Sequence, residues 1–129
     1  GGRRADCNQR GKAMSGDRKA QRQSEIHILN ACLIALSAAG CLAWRNNTGV
    51  LPDRSGRPIR FGLCVGSSDI IAIAPDGVFV AIECKTAIGQ PTDAQVRFLE
   101  AVRRQGGRAG IARSGAEAVA IATGSCPTG

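Results

Sequence analysis

The chain has 129 residues, 43% of them hydrophobic, with a formal net charge of +7. That is enough apolar sequence for one domain with a real core, which excludes a disordered chain. No apolar run approaches the ~20 residues of a membrane span, no secretory signal pattern opens the sequence, and the basic balance favours a polyanion, most simply nucleic acid.

Residues 1–17 are glycine-rich, polar and basic, and read as a flexible tail that could grip phosphate. Arg18 to Ala39 reads as the first helix: Ile26, Leu29, Leu33 and Leu36 keep helical spacing, and Gly40 is a fitting stop. Glu25 and His27 lie early in it. Cys41 to Arg45 reads as a strand, and Arg45-Asn46-Asn47-Thr48-Gly49 is turn chemistry that could also present a guanidinium and two amides to phosphates or base edges. Val50 to Pro58 reads as a loop, and Ile59 to Leu63 as a short strand carrying Arg60. Pro52-Asp53 imitates a nuclease "PD" pair but sits in the proline-rich loop with no strand immediately after it, so it is set aside.

The most informative stretch follows. Ser68 to Ile73 and Val78 to Lys85 are short apolar strands rich in Ile and Val, joined by a turn at Pro75-Asp76-Gly77, so they predict a β-hairpin. Asp69, Glu83 and Lys85 are set into this apolar context, where charges are rarely buried without partners. Residues two apart in a strand share a face, so Glu83 and Lys85 point one way and Cys84 the other. Pairing of the hairpin brings Asp69 near Glu83. Two close carboxylates repel unless a proton, a base or a metal compensates. A divalent cation such as Mg²⁺, with its preference for carboxylate and water oxygens, is the natural compensator. Glu-x-Lys taken alone usually reads as a solvated ion pair; the order Asp, strand, tight turn, apolar strand, Glu-x-Lys is what points to a site.

Thr86 to Pro91 reads as a loop. Thr92-Asp93-Ala94-Gln95 fits a capping box opening a helix with Val96, Leu99 and Val102 on its buried stripe and Gly106-Gly107 at its end. Arg108 to Arg113 reads as a strand. Ser114-Gly115-Ala116-Glu117 reads as a second capping box, opening a helix to about Thr123, and 125–129 as a frayed tail. A single domain over 18–124 results, and strands interleaved with helices predict a mixed α/β sheet. With one histidine and no Cys-x-x-Cys pair, a zinc site is not expected. The cysteines read as reduced, buried residues of a cytoplasmic protein.

This order of features resembles the virus-type replication–repair nuclease (VRR-Nuc) domain of the PD-(D/E)xK nuclease superfamily. The residues that carry it are Glu25, Trp44 to Gly49, Gly66-Ser67-Ser68-Asp69-Ile70, Val80 to Lys85, Gln95, and Gly106 to Ser114. One departure is that Ser68 stands where a proline would precede Asp69. The resemblance implies a restriction-endonuclease-like mixed central sheet flanked by helices and metal-dependent hydrolysis of DNA phosphodiesters. By position it makes Asp69, Glu83 and the Cys84 carbonyl ligands of Mg²⁺ or Mn²⁺. Lys85 becomes the group that orients water and stabilises charge, and Glu25 and Gln95 become metal- or water-positioning groups. For Gln95 the helix-capping role stands equally open. Arg45, Asn46, Asn47 and Arg60 are expected to contact DNA, and no organic cofactor is expected. The same resemblance implies a homodimer acting on branched DNA, such as four-way (Holliday) junctions, in a bacterial or phage-infected cell. The competing expectations are a flap-, end- or restriction-type nuclease, a non-catalytic DNA-binding module that keeps the fold, and a small RNA-binding protein. The aromatic content of 3% disfavours the last, because few rings are available to stack bases.

Overall fold

The computed structural model describes residues 2–125, with side chains from residue 18 onward except 21 and 23. Its elements are α1 (Gly2–Ala38), β1 (Leu42–Arg45), β2 (Gly49–Pro52), β3 (Pro58–Phe61), β4 (Ile70–Ile73), β5 (Phe79–Cys84), α2 (Asp93–Arg104), β6 (Arg108–Ala112) and α3 (Gly115–Thr123). Four strands form the central sheet in the order β1-β4-β5-β6. β1 pairs antiparallel with β4, β4 antiparallel with β5, and β5 parallel with β6 through α2. β2 and β3 form a separate two-stranded antiparallel sheet.

β4 and β5 are apolar apart from Glu83 because both of their faces are covered. On one face Ile70, Ala72, Val80, Ile82 and Cys84 pack with Leu29, Cys32 and Leu36 of α1 and with Ala118, Ile121 and Ala122 of α3. On the other, Ile71 and Ala81 pack with Leu99 of α2, flanked by Phe98, Val102, Ala109 and Ile111. The result is a mixed α/β sheet flanked by helices, as expected. Each helix ends in a left-handed glycine, Gly40, Gly106 or Gly124. The next amide reaches back in each case: Cys41 to Leu36, Gly107 to Val102 and Ser125 to Ala120. This closing turn satisfies otherwise orphaned carbonyls.

Three features differ from the sequence reading. α1 begins at Gly2 rather than Arg18; Ala, Arg, Lys and Gln favour helix, and each interior glycine costs only about 1 kcal/mol against alanine. Gly49–Pro52 is a strand rather than loop, paired through Val50–Arg60 and Leu51–Ile59. Asp53 caps the turn between these strands by accepting the amides of Ser55 and Arg57. At α3 half of the predicted box forms. Ser114 Oγ accepts the Glu117 amide, while the Glu117 carboxylate accepts the Arg113 amide one residue further back. Residues 126–129, most of the expected frayed tail, lie outside the described residues. Among those described, no helix is long and apolar enough to cross a membrane.

Candidate active site

Asp69 is placed by the loop before β4. The Asn46 amide donates to the Asp69 carbonyl at 2.7 Å. The Asn46 side chain donates to Ser67 Oγ at 2.9 Å and to the Ser68 carbonyl at 2.8 Å. Buried Ser68 turns its own hydroxyl to the Ile70 carbonyl at 3.0 Å. Gly66 lets this loop press on α2: a Cβ there would stand 2.6 Å from the Ala94 backbone, and its φ is +82°. Across the hairpin, Ile70 pairs with Ile82, which sets Asp69 opposite Glu83 one step further along. Asp69 Oδ2 accepts the Cys84 amide at 2.9 Å, so one of its oxygens stitches the end of the ladder.

Glu83 is only 2% exposed. Gln95 Nε2 donates to its Oε1 at 3.0 Å, and Lys85 Nζ lies 3.8 Å from the same oxygen. Glu83 Oε2 is buried with no hydrogen-bond partner. Burial, then the Asp69 carboxyl beside it and Glu25 further off, push the Glu83 carboxyl up to about 9, with Lys85 opposing. The Asp69 contact becomes a hydrogen bond only when the pair holds a proton. With both groups ionised it is repulsive. A buried carboxylate oxygen without a donor, next to a second carboxylate, is chemically suited to a hard cation that keeps several of its waters.

Gln95 caps its helix and also reaches the carboxylate pair. Its Oε1 accepts the Thr92 amide at 2.8 Å and its backbone amide donates to Thr92 Oγ1 at 3.2 Å, which completes the capping box. The opposite end of the same side chain reaches Glu83.

A cavity of about 240 Å³ opens beside Asp69, lined by Arg22, Glu25, Ile26, Leu29, Arg45 and Cys84. The structure therefore gathers Asp69, Glu83, Cys84, Lys85 and Gln95, with Glu25 and Arg45 facing the same cavity as Asp69. Among the described residues, no three His, Cys, Asp or Glu side chains close on one point as a metal cluster, so Glu25 stands off from the carboxylate pair. The Asn46 side-chain amide is engaged in holding the Asp69 loop. Asn47 is exposed. Arg60 lies on β3 and lines a different cleft with Thr48, Gly49 and Phe61.

Two residues escaped the sequence reading. Arg22 falls in the predicted first helix with no role assigned to it; its spacing of three from Glu25, one helical turn, is the available signal. Arg113 donates to the Thr86 carbonyl and, at 2.8 Å, to the Gly89 carbonyl, bracing the loop after Lys85. That contact spans distant parts of the chain and leaves no local signal.

No protein-family description and no curated protein matches the sequence. Among solved structures, one titled "VRR_NUC domain" superposes with a TM-score of 0.52 at 23% identity, covering 74% of this chain and 90% of the other. The chain therefore has the fold of a VRR_NUC domain, with Asp69 just before β4 and Glu83 near the end of β5, the two central strands of its sheet.

Proposed function

We propose that the protein is a metal-dependent, structure-selective DNA endonuclease. The observation that carries this reading is buried Glu83, set beside Asp69 with one oxygen unpartnered and with Lys85 and Gln95 on the other. Asp69, Glu83 and the Cys84 carbonyl would hold Mg²⁺ or Mn²⁺. Bound there, the cation would supply a nucleophile at neutral pH and neutralise charge developing on the phosphate.

The chain's own groups do the rest. Gln95 fixes the Glu83 carboxylate by its 3.0 Å hydrogen bond. Lys85 brings preorganised positive charge to the transition state and orients the attacking water. Glu25 positions water at the cavity. Arg22 and Arg45, lining that cavity with Asp69, draw the DNA backbone towards the acids and offset their repulsion of phosphate. The net charge of +7 supports a polyanionic substrate.

The substrate class in this reading is branched DNA, with four-way junctions first, cut by a homodimer whose two sites face the two strands. The large apolar side chains left exposed on the β2–β3 sheet, Val50, Leu51, Ile59 and Phe61, support an association of this kind. The test is cleavage of labelled four-way-junction, flap and linear duplex DNA with Mg²⁺, Mn²⁺ or chelator, alongside a mass measurement in solution. Symmetric, metal-dependent junction cuts by a dimer are expected. Cuts confined to flaps or ends would remove the junction claim, and salt-sensitive binding without cleavage would leave a DNA-binding module.

A further inference from the structure

The loop between Lys85 and α2 presents an aliphatic side chain to solvent. Ile88 is 82% exposed, the most exposed of the large apolar residues among those described. Single exposed apolar residues are ordinary; three features set this one apart.

The loop is held open from beneath. The Arg113 guanidinium donates to the carbonyls of Thr86 and Gly89 on either side of Ile88. The Gly89 amide donates back to the Thr86 carbonyl and to Thr86 Oγ1, each at 3.2 Å. A tip pinned at both shoulders does not fold down to bury Ile88.

The tip also lies against the site. A Cβ at Gly89 would stand 3.5 Å from Lys85 Cδ, so the loop packs along the stem of the lysine whose ammonium approaches Glu83. Ile88, the neighbour of Gly89 in this tip, is thereby held close to Lys85. Finally, the chain has one Trp, three Phe and no Tyr, and the exposed apolar group on this loop is aliphatic. Aliphatic side chains act on nucleic acid by wedging between base steps and kinking the duplex, rather than by offering a stacking platform.

We infer that Ile88 is a wedge that enters the base stack beside the phosphate to be cut. The unstacking selects flexible or already opened steps, because deformation costs least there. This rests on the nuclease reading above.

The test uses Glu83→Ala protein bound to DNA carrying 2-aminopurine at successive positions around the cut mapped with the parent protein. The same probes are read with Ile88→Ser or Ile88→Leu added, and with Ile34→Ser, which alters a residue of α1 that is 71% exposed, as control. Fluorescence is expected to rise at one step beside the cut, to lose that rise with Ile88→Ser, and to keep it with Ile88→Leu and Ile34→Ser. In the active background Ile88→Ser should lower cleavage several-fold with Tm and metal binding unchanged. Brightening at no position, or Ile88→Ser behaving as its parent, overturns the wedge while the nuclease reading stands. A parent protein that cleaves no DNA removes both.

Discussion

The chain contains two hairpins of similar apolar composition in opposite environments. β4–β5 lies inside the central sheet between β1 and β6, with helices on both faces, and its Ile70, Ile71, Val80 and Ile82 are buried. β2–β3 forms its own two-stranded sheet, paired at one end through Pro52 and Pro58, and leaves Val50, Leu51, Ile59 and Phe61 exposed. Only the first can keep a carboxylate away from water and fix it against lysine, glutamine and a second acid. A charge on the second, such as Arg60, stays solvated and screened. A site that depends on exact placement belongs to the first hairpin, and an adjustable contact to backbone phosphates suits the second.

Substitutions separate the two. Glu83→Ala should abolish cleavage and leave DNA binding and fold intact, read by product formation beside binding titration and melting. Loss of fold would make Glu83 structural instead. Lys85→Ala should slow cleavage by about a hundred-fold, the scale of removing one preorganised charge, with metal binding retained; full activity would take Lys85 out of the mechanism.

Gln95 tests how tightly α2 is tied to the first hairpin. Gln95→Glu keeps an acceptor for the Thr92 amide but loses the donor to Glu83. It should cost about 10- to 100-fold in metal affinity or activity, the scale of groups that orient ligands, with Tm nearly unchanged. Gln95→Ala should add the loss of a cap, about 1 kcal/mol. Full activity and metal affinity in Gln95→Glu, with Tm lowered only in Gln95→Ala, would show that capping is the whole role.

The pH dependence of stability is a further handle on β5. The folded-state value of about 9 for Glu83 lies above its ordinary 4.5. Its favourable contribution to the metal-free fold is therefore fully present below about 4.5 and lost as pH rises towards 9. Metal-free protein should melt at progressively lower temperature across that window, and Glu83→Gln should flatten the trend. A slope unchanged in Glu83→Gln would assign it to other groups. The smallest effect belongs to the second hairpin: Arg60→Ala should lower the salt dependence of DNA binding by about one unit of slope without altering the cleavage step. A large loss of kcat there would place Arg60 nearer the chemistry than its position on β3 allows.

Much of the central hairpin was legible in the sequence, because strands buried on both faces are written as apolar runs and acids within them stand out. Gln95 was legible through its spacing of three from Thr92. β2 was not, because Gly49–Pro52 is a short exposed strand whose glycine and proline read as loop. The start of α1 was misplaced for the opposite reason: its first half lacks an apolar stripe, and periodicity was the signal in use. The engagement of Asn46 with Ser67 and Ser68 and of Arg113 with the 86–89 loop depended on tertiary approach, which no local pattern encodes.

All of the proposed chemistry depends on Asp69 and Glu83 together holding a cation. Calorimetric titration of Mn²⁺ or Mg²⁺ into metal-free protein at neutral pH, in two buffers of different ionisation enthalpy, tests it most directly. Saturable binding is expected, releasing protons from the carboxyl pair and disappearing in both Asp69→Ala and Glu83→Ala, each still folded. Binding that survives in both folded variants, or no binding to the parent protein, would contradict it.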